Sequence, residues 1–120
     1  MSELTPLEKA VIDKLLRANG EIFTALRAQA ELAKVALRKM TGVGFFTTLS
    51  IPNNPRQIDG QSLQLRNVVA EISGLKHGAG FVLFVEDGVL DLLEGYTYGD
   101  EPWPKQITSF TLSYTDNSVT

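Results

Sequence analysis

The chain has 120 residues, of which 43% are apolar and 21% charged, a size and balance that suit one globular domain with an ordinary core and exclude wholesale disorder. It contains no cysteine, so disulfides, thiolate nucleophiles and zinc–cysteine sites are excluded together, as suits a reducing cytoplasm. The net charge of −3 is unevenly spread: residues 1–40 carry seven basic and five acidic side chains, residues 41–120 four basic and nine acidic, a balance that disfavours nucleic acid as a partner.

In chain order, Thr5-Pro6-Leu7-Glu8 predicts a helix start, with Thr5 as cap, Pro6 at the first helical position and Glu8 completing a capping box. Leu4, Leu7, Val11, Leu15 and Ala18 then recur at helical spacing, with Glu8, Lys9, Asp13, Lys14 and Arg17 largely opposite. Asn19-Gly20 is the expected left-handed stop. A second helix is expected from Glu21 to about Ala33, with Ile22, Leu26, Ala30 and Ala33 as one stripe and Arg27 paired with Glu31 on the other side.

Val35, Leu37, Val43, Phe45, Leu49 and Ile51 all fall on odd positions, which is strand spacing. One long strand is therefore expected from Val35, bent at Gly42 and Gly44. Turn residues crowd the segment from Pro52 to Gly60. Leu65–Ile72 reads as a strand, and residues 74–80, which include His77, as a connecting loop. Phe81–Val85 and Val89–Tyr98 flank Glu86-Asp87-Gly88, a strong hairpin signal. Pro102-Trp103-Pro104 breaks the chain, Ile107–Tyr114 alternates as a half-buried strand should, and residues 115–120 read as a frayed tail. The fold class is α+β: one domain over 1–120, with two N-terminal helices (1–33) packed on an antiparallel sheet of about five strands (35–114).

His77 is the only histidine, set in His-Gly-Ala-Gly, and is the candidate general base of a small enzyme that would use it with nearby carboxylates. No nucleophile or orienting carboxylate stands at motif spacing from it, so no catalytic residue is assigned. The glycine pairs Gly42/Gly44 and Gly78/Gly80 run into aromatic strands rather than into a helix, unlike phosphate loops. Neither a metal site nor a cofactor is expected, since the acids lack the loop spacing of a calcium site.

Six acids, Glu86, Asp87, Asp91, Glu94, Asp100 and Glu101, fall in a stretch with no base, beside Tyr96, Tyr98 and Trp103. Acids among aromatic anchors suit a contact surface, and Asp87, Asp91, Glu94, Tyr96, Tyr98, Asp100, Glu101 and Trp103 are its candidate residues. Glu94 shares strand parity with Leu90, Leu92 and Tyr96. A charge there needs a partner such as Arg38, Arg66 or Lys76, or a bulge that turns it outward.

Gly42-Val43-Gly44-Phe45-Phe46-Thr47, His77-Gly78-Ala79-Gly80-Phe81, Leu93-Glu94-Gly95-Tyr96-Thr97-Tyr98-Gly99-Asp100 and Trp103-Pro104 resemble, taken together, a set of small bacterial single-domain proteins of unknown function. The resemblance implies a bacterial origin and a shared fold, and transfers no catalytic residue. The N-terminus lacks the basic start and apolar core of a signal peptide, and no apolar run reaches the ~20 residues that cross a bilayer, so a cytoplasmic protein without a membrane partner is expected. The expected function is a non-enzymatic module that binds a basic protein through an acidic face, in the manner of an immunity protein. The alternatives are the His77 enzyme and a module that binds a small ligand between helices and sheet.

Overall fold

The computed structural model describes residues 3–52 and 62–115. Its first helix, α1 (Pro6–Leu15), opens on the expected capping box: the Glu8 N–H donates to Thr5 Oγ1 at 3.1 Å, and the Thr5 N–H to Glu8 Oε1 at 2.8 Å. The helix ends at the Leu16 cap, four residues before Gly20. Gly20, with φ +120°, instead precedes the second helix, α2 (Glu21–Leu32). Arg27 does not pair with Glu31; its Nη1 donates to the carbonyls of Leu16 and Ala18 at 2.7 and 2.8 Å, closing the orphaned end of α1. Leu7, Val11, Ile12, Leu15 and Leu26 are buried as an apolar stripe requires, but Glu8 lies among them at 2% exposure. Glu8 therefore faces the interior rather than solvent, where Arg38 and Thr47 donate to its carboxylate.

Among the described residues seven strands follow: β1 (Lys34–Met40), β2 (Gly44–Ser50), β3 (Leu63–Leu65), β4 (Val68–Ile72), β5 (Ala79–Glu86), β6 (Val89–Thr97) and β7 (Phe110–Tyr114). All pair antiparallel in the order β1-β2-β6-β5-β4-β7, with β3 also on β5. The sheet is thus larger than about five strands, for two reasons. The expected long strand is a hairpin, because Gly42 takes φ +94° and the Thr41 N–H donates to the Gly44 carbonyl at 3.0 Å. The expected strand over Leu65–Ile72 is two pieces, β3 and β4, both on β5. The odd-position pattern misled because the register slips between Val35 and Leu37: Val35 is buried, whereas Leu37 is 63% exposed. The segment from Pro52 to Gly60 falls at residues 53–60, and the frayed tail at 116–120, outside the described residues.

Glu86-Asp87-Gly88 turns β5 into β6 as expected, with Asp87 at φ 51° and Gly88 at φ 80°, both in the left-handed region that primed hairpin turns demand. The buried Gln29 of α2 holds this turn. Its Nε2 donates to the Gly88 carbonyl at 2.8 Å, and its Oε1 accepts from the Leu90 N–H at 2.9 Å.

Both helices pack on one side of the sheet, α1 over β4 and β5 and α2 over β6. The core between them includes Phe81, Leu83, Val85, Leu90 and Leu93. The molecule measures 40 × 36 × 20 Å, and its short dimension is that of one sheet and one helix layer at ~10 Å each. Among the described residues no helix is long and apolar enough to cross a membrane.

Candidate interaction face on the open side of the sheet

Register sorts the strand residues into two faces. Phe45, Thr47 and Leu49 of β2, with Leu93 and Gly95 of β6 and Phe81 and Leu83 of β5, point to the helices. Their neighbours Phe46, Glu94 and Val82 form a row on the other face, as do Thr48, Leu92 and Phe84. No described helix covers that face, so Phe46, Phe84, Leu92 and Tyr96 stay partly exposed.

One irregularity fixes what this face presents. Between Leu90 and Leu92 the pairing with β5 slips by one residue, with Asp91 as the extra one. Leu90 therefore turns into the core at 1% exposure, while Leu92, Glu94 and Tyr96 turn outward. Of the two fates open to Glu94, the bulge is the one realised. Of its three expected partners, Arg38 holds Glu8 on the helix side, Arg66 donates to Gln64, and Lys76 forms no ion pair with it among the described residues. No ion pair or hydrogen bond engages the Glu94 carboxylate among the described residues.

Glu71 of β4 and Glu86 of β5 share this face with Glu94. Cations reach it from edge strand β1, where Lys34 is paired with Glu3 at 2.5 Å and Lys39 neighbours Phe46, and from Lys76, which lines a hollow with Glu71 and Tyr98. The six other strands bring no lysine or arginine to it. Tyr96 and Tyr98 meet edge to face, with ring centroids 5.6 Å apart, and both hydroxyls converge over Gly80. Partial burial, and then the neighbouring Tyr96, push the Tyr98 hydroxyl above its usual pKa.

The other acids of the stretch do not form one patch. Glu86 and Asp87 sit at the hairpin tip, while Asp100 and Glu101 lie past the far end of β6, roughly 30 Å away at ~3.3 Å per residue. Asp87, Asp91 and Asp100 are exposed. Glu101 is not a free surface acid. Its carboxylate accepts the backbone N–H of Lys76 at 3.0 Å and of His77 at 2.9 Å, and those bonds hold it below the usual carboxylate range. Trp103 leaves the face altogether. It lies on the helix side against Phe45, centroids 5.1 Å apart, with its backbone N–H donating to the Gly42 carbonyl at 2.8 Å.

His77 is exposed on a turn, its ring beside Gly99. It borders a hollow of about 700 Å³ with Glu71, Lys76 and Tyr98. Glu101 binds the His77 backbone rather than its imidazole, and no hydrogen bond joins the imidazole to a carboxylate among the described residues. Among the described residues no group of three or more histidine or acidic side chains is placed to hold a metal ion.

The residues that sequence reasoning missed are Gln29 and the Glu8–Arg38 pair, whose roles depend on long-range neighbours. The signal for Phe46 and Phe84 was present in their strand parity with Glu94 and Tyr96. No protein-family model, curated protein or solved structure matches the chain.

Proposed function

We propose that this protein is a non-enzymatic binding module that presents the open face of its sheet to a basic protein. One observation carries the reading: Glu71, Glu86 and Glu94 stand among Phe46, Phe84, Leu92 and Tyr96 on a face that no described helix covers and to which no strand but the edge strand β1 brings a lysine or arginine among the described residues. Partly exposed aromatic and aliphatic side chains supply area for contact, and the carboxylates select a positively charged partner and speed its approach. Glu94 favours this further, because a half-buried carboxylate with no ion-pair partner among the described residues gains one from a basic protein. The bacterial cytoplasm, where a small acidic immunity protein would meet a basic toxin, is the setting this function fits.

The test is comparative capture from a bacterial lysate. Wild-type protein is expected to retain a basic protein that Phe46→Asp and Glu94→Lys lose. Asp13→Lys, on the exposed side of α1, is expected to retain it. If the face variants retain the same proteins as wild type, the open face is not the contact surface.

A further inference from the structure

A cleft of about 740 Å³ opens on the helix side, between the start of α1, the β1–β2 turn and the strap from Trp103 to Phe110 that leads into β7. That volume falls in the range of small-molecule sites, ~300–1,000 Å³. Its walls are Phe45, Trp103, Ile107, Phe110 and Met40, and Met40 is 54% exposed there. The Phe45–Trp103 pair and the bond from the Trp103 backbone N–H to the Gly42 carbonyl fix one wall in place.

Three charged side chains line this cleft: Glu8, Arg38 and Lys105. Arg38 spends Nε and Nη2 on the two oxygens of Glu8, so those charges cancel. The Arg38 Nη1 group has no acceptor among the described residues, and Lys105 has no ion pair. The positive end of the α1 dipole also meets the cleft, through Thr5, Pro6 and Leu7. The surplus is therefore positive, above an aromatic and aliphatic floor.

We infer that this cleft is a binding site for a small organic acid, a carboxylate with an aromatic or short aliphatic body. The body lies against Trp103, Phe45 and Ile107, and the carboxylate meets the free edge of Arg38 and the Lys105 ammonium. Because Arg38 is already held by Glu8, its guanidinium is ordered before the ligand arrives, which lowers the entropy lost on binding. The site lies across the sheet from the open face, so its failure and that of the proposed partner surface are distinguishable.

Trp103 is the only tryptophan, and its emission reports directly on the wall. Titration with 4-phenylbutyrate is expected to give a saturable change, and 4-phenylbutan-1-ol, which lacks the charge, to bind at least about tenfold more weakly. Arg38→Lys keeps a cation opposite Glu8 but removes the second amino group. Met40→Glu adds a negative charge at an exposed rim position where folding is not at stake. Each is expected to weaken phenylbutyrate about tenfold and to leave the alcohol unchanged. Should Arg38→Lys unfold, Met40→Glu alone decides. Equal affinity for acid and alcohol, no saturable response to either, or undiminished acid binding by Met40→Glu would overturn the inference.

Discussion

Arg38 on the edge strand grips the carboxylate of Glu8 on the first helix with two parallel bonds, Nε to Oε2 at 2.9 Å and Nη2 to Oε1 at 2.6 Å. Thr47 Oγ1 adds a third donor at 2.6 Å and the Thr5 N–H a fourth at 2.8 Å. One carboxylate thus completes a helix cap and ties α1 to β1 and β2. Burial raises the pKa of Glu8 most strongly of any single influence, yet Arg38, Thr47 and Thr5 together outweigh it and hold the carboxyl below its usual value.

Removing Arg38 leaves that buried charge uncompensated. Arg38→Met is expected to cost about 2–4 kcal/mol in urea unfolding, toward the low end because the arginine is partly exposed. Glu8→Leu combined with Arg38→Met should recover much of the loss. The depressed carboxyl sets the pH dependence: its contribution is complete above the unfolded pKa of ~4.3 and is lost as pH falls through the lower folded value. The stability gap between wild type and Glu8→Gln should therefore narrow below about pH 4. A gap that widens on acidification would mean the charge is not stabilised as described.

Gly44 and Gly42 separate two ways in which a glycine is required. A Cβ on Gly44 would run into the Gly95 carbonyl oxygen and stand 2.9 Å from the Tyr96 Cα, so β2 and β6 would have to part. At Gly42 a Cβ meets nothing within 4 Å, but φ is +94°. Gly44→Ala is expected to cost ~3 kcal/mol or more, and Gly42→Ala only ~1–2 kcal/mol of backbone strain. Equal losses in chemical denaturation would contradict the pairing of Gly44 with Tyr96.

Gln29→Leu removes both bonds to the hairpin turn and strands the Leu90 N–H and the Gly88 carbonyl in the interior. A loss of about 2–6 kcal/mol is expected, at ~1–3 kcal/mol for each unsatisfied group. Hydrogen exchange gives the local reading: the Leu90 amide should lose protection far more than the Leu83 amide. Unchanged protection at Leu90 would show that the turn stands without the clamp.

Much of this architecture was legible in the residues. Thr5-Pro6-Leu7-Glu8 marked the start of α1, and Asp87-Gly88 marked the hairpin, because capping and left-handed turns depend on local chemistry. The faces of the strands were less legible. A bulge reverses parity without leaving a mark in composition, so Leu37 read as core and Leu90 as a neighbour of Glu94. The acidic stretch read as one surface because sequence proximity hides the length of β6, which carries its two ends far apart. Glu101 and Trp103 then fell to structural partners, Lys76 and His77 for one and Phe45 for the other.

In the function we propose, carboxylates on the open sheet face draw in a basic protein. The most direct test is the association rate of the captured partner, measured by stopped flow at low and at high salt, for wild type and for the Glu86→Lys, Glu94→Lys double variant. Steering by these charges predicts a rate at least about tenfold slower for the variant at low salt, converging with wild type as the screening length falls below ~10 Å. The melting temperature should change little, since neither carboxylate has an ion-pair partner among the described residues. A double variant that stays folded and associates as fast as wild type at low salt would contradict the account.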